Sequence, residues 1–206
     1  ERCLNEDIFE NPASRSAATI FENKERGHDI HDLFLYGKDL EMIGKWYRQL
    51  TGESIGKEHD NEGEQVHTGV TPIVSVGSTD LHSMVQLYLG GPNDKLHSFV
   101  WVEENDSEIE LPENSEYEDL VEDIQGISFK EIMEAIFEGV NTAFEKSDRP
   151  YNVITIPDKS ERSIGGLLQF KMMEMMYLGS LLNVNPFNQP NVEEYKVETK
   201  EILKGE

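Results

Sequence analysis

At 206 residues the chain has the length of one large domain or two small ones, and 37% apolar with 29% charged residues allows a core beneath a heavily solvated surface. Eighteen Lys and Arg against 41 Asp and Glu leave a formal charge of −23, which repels a nucleic-acid backbone or an anionic membrane and speaks against either as partner. A single cysteine, Cys3, excludes an internal disulfide framework and a Cys-rich zinc site and points to a reducing compartment; no apolar run approaches the roughly 20 residues that span a bilayer, and no stretch reads as a secretory leader.

Residues 1–31 are polar and mixed, a helical or irregular lead-in broken at Asn11-Pro12, with one short helix predicted around Ala17, Ala18, Ile20 and Phe21. Residues 32–37 (DLFLYG) read as a short buried strand closed by glycine. A helix over 39–50 follows, with Leu40, Ile43, Trp46, Tyr47 and Leu50 on one face. Strands are predicted at 71–77 (TPIVSVG) and 96–102 (LHSFVWV), with a helix over 78–89 between them. The tract 103–123 carries eleven carboxylates and Pro112 and reads as a solvated insertion between core elements. Ser128, with Glu131 three residues on, has capping-box spacing for an amphipathic helix reaching Lys146. A strand at 151–157, a long apolar helix over 163–183 and a final helix over 191–203 complete the pattern. The methionines at 172, 173, 175 and 176 read as core filler rather than a metal site.

Short buried strands alternating with helices imply βαβ units, hence an α/β fold: a three-layer α/β/α sandwich with a mainly parallel sheet. Such sheets bind ligands at the carboxyl ends of their strands, which directs attention to the loops at Gly52, Gly77 and 186–189. Gly52-Glu53-Ser54-Ile55-Gly56-Lys57 brackets a carboxylate between two glycines directly after a helix, with Lys57 and Glu58 expected to face solvent. Gly77-Ser78-Thr79-Asp80-Leu81-His82-Ser83 sits at a strand-to-helix junction, where Ser78 or Thr79 caps the helix and His82 is a candidate acid–base group. His28, His31, His59, His67 and His97 lack such settings, and no two histidines form a metal pattern. Two prolines and three amides in 185–190 fix a polar turn, with Asn191 as candidate cap and Lys196 projecting from the second turn beyond it.

Three of these segments carry a family resemblance. Gly179-Ser180-Leu181-Leu182 followed by Pro186-Phe187-Asn188-Gln189-Pro190-Asn191-Val192-Glu193-Glu194-Tyr195-Lys196 resembles the C-terminal signature of the glucose-6-phosphate isomerase family. Trp46-Tyr47-Arg48-Gln49-Leu50-Thr51-Gly52-Glu53-Ser54-Ile55-Gly56-Lys57 and Ser78-Thr79-Asp80-Leu81-His82-Ser83 resemble segments of its bacterial branch, in the same order. The resemblance spans about residues 30 to 200. It departs from the family at the longer polar stretch 58–70, at the acidic tract, and at Asn191, where glycine is common.

The resemblance implies a sugar isomerase (SIS) domain over 32–190, with 191–206 as C-terminal helix and tail. It implies an enzyme that interconverts glucose 6-phosphate and fructose 6-phosphate in the cytoplasm through a cis-enediol, without metal or organic cofactor. Glu53 is then the carboxylate that moves a proton between C2 and C1, with Glu58 as its competitor. His82 assists ring opening, supplied across a homodimer interface; Lys196 is the ring-opening lysine and Gln189 contacts the substrate. Such a base is expected to need desolvation, because a proton alpha to a carbonyl is weakly acidic. The family's first SIS domain, with its Gly-Gly-Ser turn, phosphate loop and arginine, has no counterpart here. A chain opening at Glu1 without methionine is therefore expected to be the C-terminal part of a longer enzyme, inactive or nearly so alone. Two alternatives stay open: an isomerase acting also on mannose 6-phosphate, and a non-catalytic SIS module that binds sugar phosphates and regulates a partner.

Overall fold

The computed structural model describes residues 2–105, 107, 109–113, 116 and 121–205. In chain order the elements are α1 (Pro12–Glu25), β1 (Ile30–Tyr36), α2 (Glu41–Ile55), β2 (Lys57–His59), β3 (Gln65–Thr68), β4 (Thr71–Gly77), α3 (Thr79–Ser83), α4 (Val85–Gly90), β5 (Lys95–Val102), α5 (Phe129–Lys146), β6 (Tyr151–Ile156), α6 (Glu161–Leu181) and α7 (Pro190–Lys204), with single 3-10 turns between some of them. The main sheet has the order β4-β1-β5-β6, and all its pairs are parallel. Alternation along the central strand sorts its side chains into two cores. Leu33 and Leu35 join Leu96, Val100 and residues of α1, α2 and α6; Phe34 and Tyr36 join Tyr88, Phe99 and Phe144 from the α3–α5 side. This is the expected α/β/α sandwich.

The first helix is longer than its apolar stretch suggested. The Asn11 side-chain oxygen accepts from the amides of Ala13 and Ser14, both at 3.1 Å, and Pro12 follows at a position where a missing N–H leaves nothing unpaired. Ala13, Ala17 and Ile20 then bury one face of α1 against α6. Ser128 forms the expected capping box with Glu131. The single helix expected over 78–89 is instead two short ones, broken at Met84. Ser78 makes no side-chain cap there; the Asp80 carboxylate accepts from the Val76 amide at 2.7 Å and from the Ser83 hydroxyl at 2.8 Å. The stretch 58–70 contains an antiparallel hairpin, β2–β3, that the polar sequence did not announce. Of the acidic tract, Ile109 and Leu111 pair through their backbones with residues in 126–129; much of the rest lies outside the described residues. Among the described residues no helix is long and apolar enough to cross a membrane.

Each core contains a buried polar network. Between the sheet and α2, His31 Nδ1 lies 2.8 Å from the Tyr47 hydroxyl and Nε2 lies 2.8 Å from Ser98 Oγ. Tyr47 donates to Glu174 at 3.2 Å, so it accepts from His31 Nδ1–H, which leaves Nε2 to accept from Ser98. Glu174 also accepts from Lys171 at 2.9 and 3.1 Å and from the Ser16 hydroxyl. On the opposite face Asp32 accepts from His97 at 2.9 Å and from Ser75 at 3.0 Å. His31 and His97, to which the sequence assigns no setting, thus anchor both layers.

Burial, then the Lys171 and His97 charges, push the His31 pKa well below its ordinary value. The folded chain therefore holds His31 neutral where the unfolded chain would protonate it. Below the unfolded pKa of about 6.5 the unfolded state binds the extra proton, so stability falls as pH falls. Urea unfolding between pH 7.5 and 5.5 is expected to show a loss approaching about 1.4 kcal/mol per pH unit that His31→Gln lacks. Equal slopes in both proteins would contradict this.

Candidate active site

Helix α2 continues one turn beyond the predicted end because its apolar stripe does: Tyr47, Thr51, Ser54 and Ile55 are all buried. Glu53 consequently sits within the last helical turn rather than in a loop. The Gly56 amide closes that turn on the Gly52 carbonyl at 3.2 Å, and the chain then extends into β2. Both carboxylate oxygens of Glu53 are engaged. Oε1 accepts from Gln49 Nε2 at 3.1 Å, one helical turn back, and Oε2 accepts from Gln189 Nε2 at 2.8 Å, 136 residues further along the chain.

Gln189 reaches this position through a well-defined helix ending. Asn183 adopts a left-handed φ of 55° after α6, the Val184 amide returns to the Gly179 carbonyl at 2.8 Å, and the Asn183 amide returns to Ser180 at 3.2 Å. This is the Schellman pattern, with the following apolar residue, Val184, buried as the motif prefers. Pro186 packs so closely on Gly179 that an added Cβ would lie 3.1 Å from its ring. The Asn183 carbonyl also accepts from the Asn61 amide at 2.9 Å, fastening the hairpin to the same turn. Gln189, not Asn191, occupies the N-cap position of α7; its side chain makes no cap bond and is free to meet Glu53. Asn191 instead donates to Glu58 at 2.9 Å, and Gln65 donates to the other Glu58 oxygen at 3.1 Å. These bonds hold the Glu58 carboxyl below its usual pKa.

Lys57 does not face solvent as expected. It is only 6% exposed, and its ammonium donates to the Glu53 carbonyl at 2.7 Å and to the Asn188 carbonyl. Burial pulls its pKa down, opposed by the Glu53 charge. Lys196 stands apart from this cluster: its ammonium donates to Glu193 Oε1 at 2.7 Å, an ion pair that raises the lysine's pKa and lowers the glutamate's. His82 is exposed in α3, beyond the carboxyl end of β4. Glu53 lies at the other end, because Ile55 and Gly56 abut Gly69 just before β4 begins. A seven-residue strand separates them, roughly 20 Å. One chain thus unites Glu53 with Gln189 but not with His82. The loops at Gly52 and 186–189 lie at the amino ends of the strands, contrary to the carboxyl-end expectation that holds for the Gly77 loop.

A sequence profile of the family described as phosphoglucose isomerase matches residues 7–205. The chain belongs to the phosphoglucose isomerase family. A glucose-6-phosphate isomerase of Carboxydothermus hydrogenoformans is 36% identical over 203 residues, 98% of this chain and 44% of the relative. One from Methanocaldococcus jannaschii is 34% identical over 194 residues, 94% and 45% respectively. A crystal structure of a hypothetical protein from Thermus thermophilus superposes with a TM-score of 0.90 at 29% identity, covering 98% of this chain and 47% of that one. A glucose-6-phosphate isomerase structure from Chlamydia trachomatis shares the fold, with a TM-score of 0.83 at 20% identity over 98% of this chain and 40% of that one. The chain spans under half the length of the curated relatives it matches.

Within this member of the phosphoglucose isomerase family, the residues missed by sequence reasoning are Gln49 and Lys57. Gln49 had a findable signal, since it lies four residues before Glu53 on the same helical face. That face is open. A shallow groove of about 480 Å³, lined by Met42, Lys45, Trp46, Arg48 and Gln49, runs along α2, and Glu53 is only partly buried.

Proposed function

We propose that this chain is the carboxyl-terminal half of a glucose-6-phosphate isomerase, with Glu53 as the proton-transfer base. The observation that carries the reading is the double hold on the Glu53 carboxylate, by Gln49 from its own helix and by Gln189 from the signature turn. Ring opening exposes the C1 aldehyde, which acidifies the proton on C2. Glu53 takes that proton, the C2 electron pair forms the C1–C2 double bond of the cis-enediol, and O1 is protonated. The carboxyl group then returns a proton to C1 as the O2 hydroxyl gives up its proton and becomes the ketone, its loss balancing the proton gained by O1. One carboxylate reaching both carbons needs fixed placement, which two amide donors from separate elements supply.

Lys196 and His82 act in ring opening, and Gln189 contacts the sugar besides holding the base. The strand's length between Glu53 and His82 supports a homodimer in which His82 serves the neighbouring chain's site. The open groove along α2 supports a cover from the remainder of a longer protein, which would also bring the phosphate-binding groups and desolvate Glu53. The half alone is then inactive, and the whole protein works in the cytoplasm without a cofactor.

The test is the full-length protein incubated with glucose 6-phosphate deuterated at C2. The expected product is fructose 6-phosphate carrying part of the label at C1, since one base takes and returns the same hydron. No isomerisation by the intact, folded protein would overturn the reading.

A further inference from the structure

The isomerase reading gives the buried cation beside the base no task. We infer that Lys57 is a positioning residue that fixes the backbone separation between Glu53 and Gln189. Its ammonium bridges two carbonyls: that of Glu53 itself, at 2.7 Å, and that of Asn188, the residue immediately before Gln189. The side chains of the same two segments meet at 2.8 Å on the solvent side. Two links, one through side chains and one through backbone, thus define the distance between helix end and turn.

The need for the second link follows from the local sequence. Gly52 and Gly56 flank the base, and an added Cβ on Gly52 would meet nothing within 4 Å, so packing at that position does not stiffen the turn. The last carbonyls of a helix lack intrahelical donors, and a lysine placed there satisfies one while opposing the negative end of the helix dipole. A lysine left in solvent would avoid the desolvation that Lys57 bears. Its burial, with its pKa drawn down by that burial, marks a side chain held in place by geometry rather than by solvation.

This inference rests on the isomerase reading, and its test separates the two. In the full-length protein, Lys57→Met is expected to lower kcat ten- to a hundredfold with KM within threefold, the scale of a base displaced by about 1 Å. The primary isotope effect on kcat with C2-deuterated glucose 6-phosphate is expected to rise, and the fraction of label reaching C1 to fall. Lys57→Arg, which keeps the charge, is expected to restore at least a third of the lost activity. Should Lys57→Met fail to fold, Lys57→Gln, too short to span both carbonyls, is read by the same two measurements. A folded variant with normal kcat, isotope effect and label transfer overturns the positioning role and leaves the isomerase reading standing. A drop in melting temperature with an unchanged isotope effect and label transfer overturns it equally, since that is all a structural role would move. An inactive wild-type protein would instead sink the isomerase reading beneath it.

Discussion

Glu53→Gln in the full-length protein is expected to lower kcat by about 10²–10⁴-fold while KM moves by no more than a few-fold, the usual effect of removing a general base. The substitution keeps the length and shape of the side chain. Gln49 and Gln189 are both amides, and either can rotate to present its carbonyl oxygen to the new NH₂ group, so the corner should retain its form. Glu58→Gln is the internal control. Glu58 is the nearest alternative carboxylate, but its oxygens are taken by Asn191 and Gln65, which tie hairpin to helix. Its neutralisation should leave kcat within about threefold, a change of under roughly 0.7 kcal/mol in the barrier. Steady-state kinetics on the pair decides the assignment: a severe loss in Glu58→Gln with near-normal Glu53→Gln would exchange the two roles.

The second large effect concerns stability. Glu174→Ala is expected to destabilise the fold by about 3–5 kcal/mol, because it strands the Lys171 ammonium in a site where both residues are at most 1% exposed. Burial pulls the Lys171 pKa down and Glu174 holds it up, so losing the carboxylate removes the opposing influence. Tyr47 and Ser16 would lose their acceptor in the same step. Replacing both partners with apolar residues, as in Lys171→Met with Glu174→Leu, should recover much of the loss, since no charge is then left unpaired. Urea unfolding of Lys171→Met, Glu174→Leu and the double variant forms the cycle that checks this. Additive losses would mean that the pair is not energetically coupled. The Lys171 ammonium also lies 4.8 Å from the centre of the Tyr47 ring, so the double variant should fall somewhat short of full recovery.

Much of the sheet was legible because the central strands, buried on both faces, leave nearly continuous apolar runs, and the half-buried edge strand β4 keeps enough of one. Residues 32–37, 71–77 and 96–102 read as strands and proved to be β1, β4 and β5 within a residue or two. The helices followed their stripes, and errors arose where the stripe was made of small or polar residues. Ala13 extends the buried face of α1 without looking hydrophobic, and Thr51 and Ser54 carry α2 past Leu50, the last residue of its predicted stripe. The hairpin escaped notice because β3 is largely exposed and shows no apolar face to alternate. Of the candidate site, the glycine-bracketed Glu53 and the 186–189 turn stand out in the sequence, and motif resemblance gives Glu53 and Gln189 their roles; only the fold reveals their contact, which no local pattern encodes. Lys57 was misread because a lysine in a Gly-rich polar stretch resembles any surface lysine until a second segment closes over it. The separation of His82 from Glu53 likewise follows from strand direction, which residue types alone do not convey.

The consecutive polar residues of β1 have a consequence for how the chain selects one structure. His31 points into one layer and Asp32 into the other, each matched by partners on different elements. Sliding this strand by a single position would deliver the acid to the layer holding Glu174 and the imidazole to the layer holding His97. Each would then meet a like partner across a dry interior, where like charges and mismatched donors are severely penalised. The two side chains together work as a key that admits one alignment of the central strand, a discrimination that the apolar neighbours Leu33, Phe34 and Leu35 are too alike to provide.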